Sequence, residues 1–136
     1  MLWPVHCLSH SVGAAFHPKM TRSASDIIVQ KGMDKTVDSY SGFGSPPEDT
    51  GLDKILKEKG VKTVYCVGLA MDYCVGSTAL DAARLGYETF VIEDAVRGVF
   101  PEGSQKMCAQ LKEAGIRLVE SSSVLSVTER KGCCRS

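Results

Sequence analysis

The sequence predicts an α/β protein built on a mostly parallel sheet, and three observations carry that expectation. One junction recurs three times: a helix-like segment ends, a glycine follows, and a β-rich run begins, as EKG-VKTVYCVGL, RLG-YETFVIED and EAG-IRLVESS. The segments between these runs are amphipathic at helical period, and strand, helix, strand, helix, strand is the order of parallel βαβ units with right-handed crossovers. The runs TVYCVGL and TFVIED are nearly continuous in apolar residues, as strands covered on both faces are.

Taken in order, the opening WPVHCLSHSVGAAFHP reads as mostly irregular. DIIVQK, residues 26–31, is a strand candidate, and Lys31 closes it. GMDKTVDSYSGFGSPPEDTG follows and is rich in Gly, Ser, Asp and Pro, so it reads as a long loop at a strand end, where function often sits. LDKILKEK places Leu52, Ile55 and Leu56 on one helix face. STALDAARL gathers Ala79, Ala82 and Ala83, small enough for close packing on a sheet, and SQKMCAQLKEA aligns Met107, Leu111 and Ala114. Gly60, Gly86 and Gly115 are each placed as the residue just past a helix end, where a positive φ is cheap only for glycine. Residues 1–128 read as one domain and 129–136 as a polar tail.

Composition narrows the partners. With 16 acidic and 16 basic residues in 136, no net charge argues for nucleic acid or an anionic membrane. No apolar stretch approaches the roughly 20 residues that span a bilayer, and MLWPVHCLSH lacks the basic and long apolar regions of a signal peptide. The expected home is the cytosol. The six cysteines are irregularly spaced with no C-x-x-C pair, so free thiols are expected rather than disulfides or a thiolate zinc site. The terminal CCRS places Cys133 where a prenylated cysteine would sit, but Arg135 occupies a position that motif prefers aliphatic; a polar tail is the plainer reading.

In an open α/β sheet, ligands bind beyond the carboxyl ends of the strands. Lys31 and Cys74 both fall there. Cys74 opens the helix after TVYCVGL, where unpaired N–H groups and the positive end of the helix dipole favour a thiolate. From position alone it is either a buried structural thiol or a nucleophile, and Lys31 either a solvated strand-end lysine or a catalytic one. Cys66 reads as core and Cys108 as half-buried and inert. His6, beside Trp3, reads as a surface residue or a metal ligand; one histidine makes no metal site.

Three segments together resemble one family. LWPVHC at residues 2–7 with GA at 13–14, VQKGMDKTVDSYSGF at 29–43, and VGLAMDYCVGSTALDAARLGY at 67–87 are similar, in that order, to the WPxHC, lysine-strand and nucleophile segments of nicotinamidases (pyrazinamidases). These belong to the isochorismatase-like cysteine hydrolases. The resemblance implies a three-layer α/β/α fold and hydrolysis of nicotinamide, or pyrazinamide, to the acid and ammonia through a cysteine thioester, a step of NAD salvage. It implies Cys74 as nucleophile and Lys31 as catalytic lysine, with the N–H groups of Ala70 and Cys74 as an oxyanion hole after a cis Leu69–Ala70 bond. It implies His6 as one ligand of a divalent metal, zinc above all, and Trp3 and Tyr40 as walls of the substrate pocket.

The resemblance also implies an omission. The family's base aspartate and its other metal ligands precede the WPxHC segment, and its sheet order is 3-2-1-4-5-6. The chain therefore matches the C-terminal two-thirds of such an enzyme, lacking its first two strands. TVYCVGL would become an apolar edge open to aggregation or to pairing with another chain, a homo-oligomer included. Two alternatives follow: a non-catalytic truncated interaction module, or a related hydrolase acting on another amide or on isochorismate.

Overall fold

Three glycines set the rhythm of helix and strand. In the computed structural model, which describes residues 3–124, Gly60, Gly86 and Gly115 have φ of 67°, 90° and 75°. Each closes a helix with the same pair of hydrogen bonds. Gly60 N–H donates to the Lys57 carbonyl at 3.0 Å and Val61 N–H to that of Leu56 at 3.0 Å. Gly86 and Tyr87 repeat the pair on Ala83 and Ala82, and Gly115 and Ile116 on Lys112 and Leu111. These are Schellman caps, and the residues joined by each longer bond, Leu56 and Val61, Ala82 and Tyr87, Leu111 and Ile116, are apolar as the motif favours.

The elements are α1 (Leu52–Glu58), β1 (Thr63–Leu69), α2 (Gly76–Arg84), β2 (Glu88–Arg97), α3 (Pro101–Glu113) and β3 (Arg117–Val119). A 3-10 turn spans Val12–Ala14 and a π-helical turn, Met71–Val75, leads into α2. The sheet is parallel in the order β1-β2-β3, with Tyr65 opposite Phe90 and Phe90 opposite Arg117. The register shifts between Cys66 and Gly68, so β2 carries extra residues past β1. β2 runs further than its apolar sequence suggests, and β3 stops at Val119, short of the 116–122 run.

The core lies on one face of the sheet. Cys66 and Val91 pack with Ala79 of α2, Met107 and Leu111 of α3, and Met71 and Val75 of the π-turn. Leu111 and Val91 are fully buried, and each contributes about 1.5–3 kcal/mol. Ala114, expected on the buried face of α3, is exposed, because it follows the helix's last residue, Glu113, at the cap.

The opposite face explains two departures from expectation. TVYCVGL is not covered on both faces as its composition suggested: Tyr65, Val67 and Leu69 are 44%, 54% and 75% exposed, because α2, α3 and the π-turn pack on the other face, and β1 is the sheet edge that the resemblance implied. DIIVQK forms no strand, and Ile27 and Ile28 are exposed. A strand needs a neighbour to pair its backbone, and among the described residues it finds none. Phe90 stays buried on this face between the Tyr65 ring, stacked at 4.9 Å, and the Arg117 guanidinium, 4.2 Å from its centroid. The tail at 129–136, with Cys133 and Cys134, and the last residues of the 1–128 domain expectation lie outside the described residues.

Candidate active site

The site is built at the carboxyl end of β1, where the chain turns sharply. The Leu69–Ala70 peptide bond is cis, as the resemblance implied, and Ala70 is extended with φ −104° and ψ 144°. Its carbonyl accepts two N–H groups, Tyr73 at 3.1 Å and Val75 at 3.0 Å. The second closes a five-residue π-turn with Cys74 inside it. Such turns are rare and favour functional sites.

A second segment is pinned against this turn. The Thr78 hydroxyl donates to the Cys74 carbonyl at 2.6 Å and accepts the Gly42 N–H at 2.8 Å. Thr50 Oγ1 donates to the Gly42 carbonyl at 2.7 Å. Gly42 is thus held from both sides, and with it the loop from Ser39 onward. Lys31 Nζ donates to the Ser39 carbonyl at 2.6 Å and to Cys74 Sγ at 3.4 Å. The lysine and the thiol, 43 residues apart in sequence, are a direct pair. They line a cleft of about 350 Å³ together with Gly42, Thr78 and the apolar residues of β1, including Val64 and Val67.

Aromatic rings gather beside the thiol. Tyr73, next to Cys74, meets Trp3 edge-on at 4.9 Å and Tyr40 at 5.9 Å. Trp3 also meets the His6 ring at 6.2 Å. Trp3, Tyr40 and His6 are therefore brought together, and Tyr73 is the residue that joins them. Tyr73 and Thr78 were missed in the sequence, although Thr78 stands four residues after Cys74, where a helix brings side chain and backbone together.

The other candidates have different roles. Asp72 does not hydrogen-bond the thiol; its oxygens accept the N–H groups of Val99 and Phe100, each at 2.9 Å. Cys66 is core, and burial pushes its thiol up to about 11. Cys7, Cys66, Cys74 and Cys108 are all unpaired.

His6 is exposed, and its Nδ1–H donates to the Pro4 carbonyl at 2.7 Å, leaving Nε2 free to ligate. Among the described residues no three His, Cys, Asp or Glu side chains converge. These residues do not by themselves fit a zinc site, which needs three or four ligands.

The chain is thus an α/β protein with a thiol beside an ammonium at the carboxyl end of a parallel strand, on the lining of a cleft. The chain belongs to the isochorismatase family: an isochorismatase domain matches residues 2–123. It is 37% identical over 128 residues to a nicotinamidase of Acinetobacter baylyi, covering 92% of this chain and 60% of that protein. The crystal structure of a Pyrococcus horikoshii pyrazinamidase in complex with zinc is 39% identical, with a TM-score of 0.80, over 88% of this chain and 63% of that one. A protein from L. infantum in complex with nicotinate is 34% identical, with a TM-score of 0.85, over 89% and 62%. The chain thus spans about 60% of the length of the relatives it matches. Its three-stranded parallel sheet is a partial isochorismatase-like fold.

Proposed function

We propose that the chain carries the nucleophile half of a nicotinamidase-type amide hydrolase site. The observation that supports this best is the Lys31 Nζ to Cys74 Sγ contact at 3.4 Å beside the cleft. The Cys74 thiolate attacks the carboxamide carbon of nicotinamide or pyrazinamide. The tetrahedral oxyanion is held by the N–H groups of Ala70 and Cys74; it collapses to a thioester as the C–N bond breaks and the nitrogen leaves as ammonia, taking from solvent the proton that the thiol had given up to it. Water then cleaves the thioester, giving the acid and restoring the thiol. Lys31 keeps the thiolate in place, and Trp3, Tyr40 and Tyr73 supply flat apolar surface for an aromatic ring. His6 stands beside the Trp3 ring, and no step is assigned to a metal. A cytosolic setting suits the unpaired thiols.

For the 136-residue chain itself, the expected amidase activity is near zero. Among the described residues the hydrogen-bond partner of Cys74 Sγ is Lys31, and no carboxylate accepts its proton. A positioned base is typically worth 10²–10⁴-fold. The test is ammonia release from nicotinamide, pyrazinamide and small aliphatic amides, by this chain and by any product extended in frame upstream of Met1. Nicotinamide turnover by the extended product, lost in Cys74→Ala, supports the assignment. Hydrolysis with no preference for nicotinamide points instead to a related hydrolase. Turnover by the 136-residue chain, lost in Cys74→Ala, would show that no further base is needed.

The exposed face of β1 favours a second reading, a non-catalytic module that pairs its edge with a full-length relative. Failure to co-purify with such a relative on co-expression counts against it.

A further inference from the structure

We infer that Glu48 is a positioning residue: it clamps both ends of the 31–39 loop and so holds the Lys31 ammonium against Cys74. The inference rests on the assignment of Lys31 and Cys74 as the reacting pair.

Lys31 lies in no strand, so no β-ladder fixes it. Its ammonium is steered by the Ser39 carbonyl at 2.6 Å, eight residues on, so the gap to the thiol depends on how the two ends of the loop are held together. Glu48 reaches both ends. Its Oε1 accepts the Met33 N–H at 2.9 Å, just after Lys31. Its Oε2 is buried, as is the Ser39 hydroxyl, and neither oxygen has a hydrogen-bond partner among the described residues, which leaves each open to the other. The Ser39 hydroxyl is the first cause that holds the Glu48 carboxyl below its ordinary range, followed by the Met33 N–H; the Gly32 N–H and the Lys31 charge add to it, and burial opposes.

The backbone of Glu48 is anchored in turn. Its N–H donates to the Ser45 carbonyl at 2.7 Å, and Gly44, at φ +90°, passes so close that a Cβ there would stand 2.5 Å from the Glu48 carbonyl oxygen. The clamp is therefore mounted on a tight turn that is itself joined, through Thr50 and Gly42, to Thr78 and the Cys74 helix.

The clamp has a readout that needs no turnover. An ammonium held beside a thiol favours the thiolate, and alkylation follows the thiolate fraction. The experiment follows carbamidomethylation of Cys74 by iodoacetamide across pH 6 to 10 in the full chain, resolved by peptide mass spectrometry, with Cys74→Ala as blank. Glu48→Ala is expected to slow labelling at pH 7 by about 3-fold or more, with the deficit closing at high pH. Glu48→Gln keeps an acceptor for Met33 and a polar partner for Ser39, and is expected to stay within about 2-fold of wild type.

The arms separate the possible failures. Lys31→Met at the wild-type rate would overturn the pair assignment itself. Slow Lys31→Met with wild-type Glu48→Ala would overturn the clamp alone. So would a Glu48→Ala deficit equal at every pH, which marks general loosening, or Glu48→Gln as slow as Glu48→Ala. If Glu48→Ala does not fold, Ser39→Ala takes its place: a pH-dependent deficit supports the clamp and a wild-type profile overturns it.

Discussion

Asp72 stands two residues before Cys74, yet its work is to hold α3. Removing it tests that placement. In Asp72→Ala the N–H groups of Val99 and Phe100 lose a carboxylate that accepts both at 2.9 Å. Phe100 is the cap residue of α3 and provides no side-chain cap of its own. Gly98 and Gly103 are close enough that a Cβ at either would stand 3.3 Å and 2.9 Å from the carboxylate oxygens, so the carboxylate is enclosed rather than free in solvent. Hydrogen bonds to a charged acceptor contribute about 1.5–3 kcal/mol each. Taking the low end for each of the two bonds of a half-buried group, and subtracting about 1 kcal/mol of side-chain freedom regained, leaves a loss of about 2 kcal/mol. At about 4 °C per kcal/mol for a domain of this size, Tm should fall by about 8 °C. Asp72→Asn keeps one oxygen for one N–H and should lose about half as much. Thermal melts by far-UV circular dichroism, with urea titration alongside, measure both. In the same samples, Asp72→Asn should leave the pH profile of Cys74 alkylation unmoved. A loss under 0.5 kcal/mol in Asp72→Ala, or an alkylation profile displaced by Asp72→Asn, would refute the placement and return Asp72 to the thiol.

Three further outcomes follow from the same structure. Gly60→Ala should cost about 1 kcal/mol, because φ is +67° but space around it is open, whereas Gly44→Ala should cost about 2 kcal/mol more, because its Cβ would press on the Glu48 carbonyl; paired urea melts compare them. Asp34, Asp53, Asp94 and Glu48 are held below their ordinary range, first by hydrogen bonds from Thr36, Lys57, Ser121 and Ser39 in turn. Folded-state values lowered in this way give stability that is present above the unfolded values, near pH 4, and lost as pH falls through the folded ones, so the urea midpoint should hold from pH 7 to 5 and fall below about pH 4. Cys66, with its thiol pushed up to about 11, should stay unlabelled by iodoacetamide at pH 8 in the folded chain while Cys74 reacts; equal labelling would contradict its burial.

The helix–strand rhythm was legible because its signals are local. A glycine at a helix end, an amphipathic turn count and a β-branched run each act within a few residues, so α1, α2, α3 and the three strands fall where the sequence places them. The failures on the strands are non-local, and that on Ala114 is a matter of one residue at a helix end. DIIVQK has strand composition, but pairing needs a partner strand that no local pattern supplies. TVYCVGL has the composition of a doubly covered strand, and its exposed face reflects helix packing on one side only; its edge position was expected from the resemblance. Ala114 keeps the helical period of Met107 and Leu111 and still faces solvent, because the helix ends one residue earlier.

The site divides along the same line. Cys74 was legible as a helix-start thiol, and the resemblance brought Lys31, Trp3, Tyr40 and His6 beside it. What stayed hidden is how Lys31 reaches the thiol without a strand beneath it. The missing ladder removes the backbone bonds that would have fixed its position. In their place stand side-chain bonds between distant segments: Lys31 to Ser39, Gly42 to Thr78, Thr50 to Gly42, and Glu48 to Met33. Each joins residues from 8 to 36 positions apart, and none has a periodic signature. A lysine held by a loop rather than a ladder is also easier to displace, since local opening there breaks few buried contacts. The geometry of the pair should therefore be more sensitive to loop substitutions than to core ones. Slowed Cys74 alkylation in Glu48→Ala, beside an unchanged rate in a core variant such as Leu111→Val that lowers Tm, would show that the loop and not the sheet sets the distance.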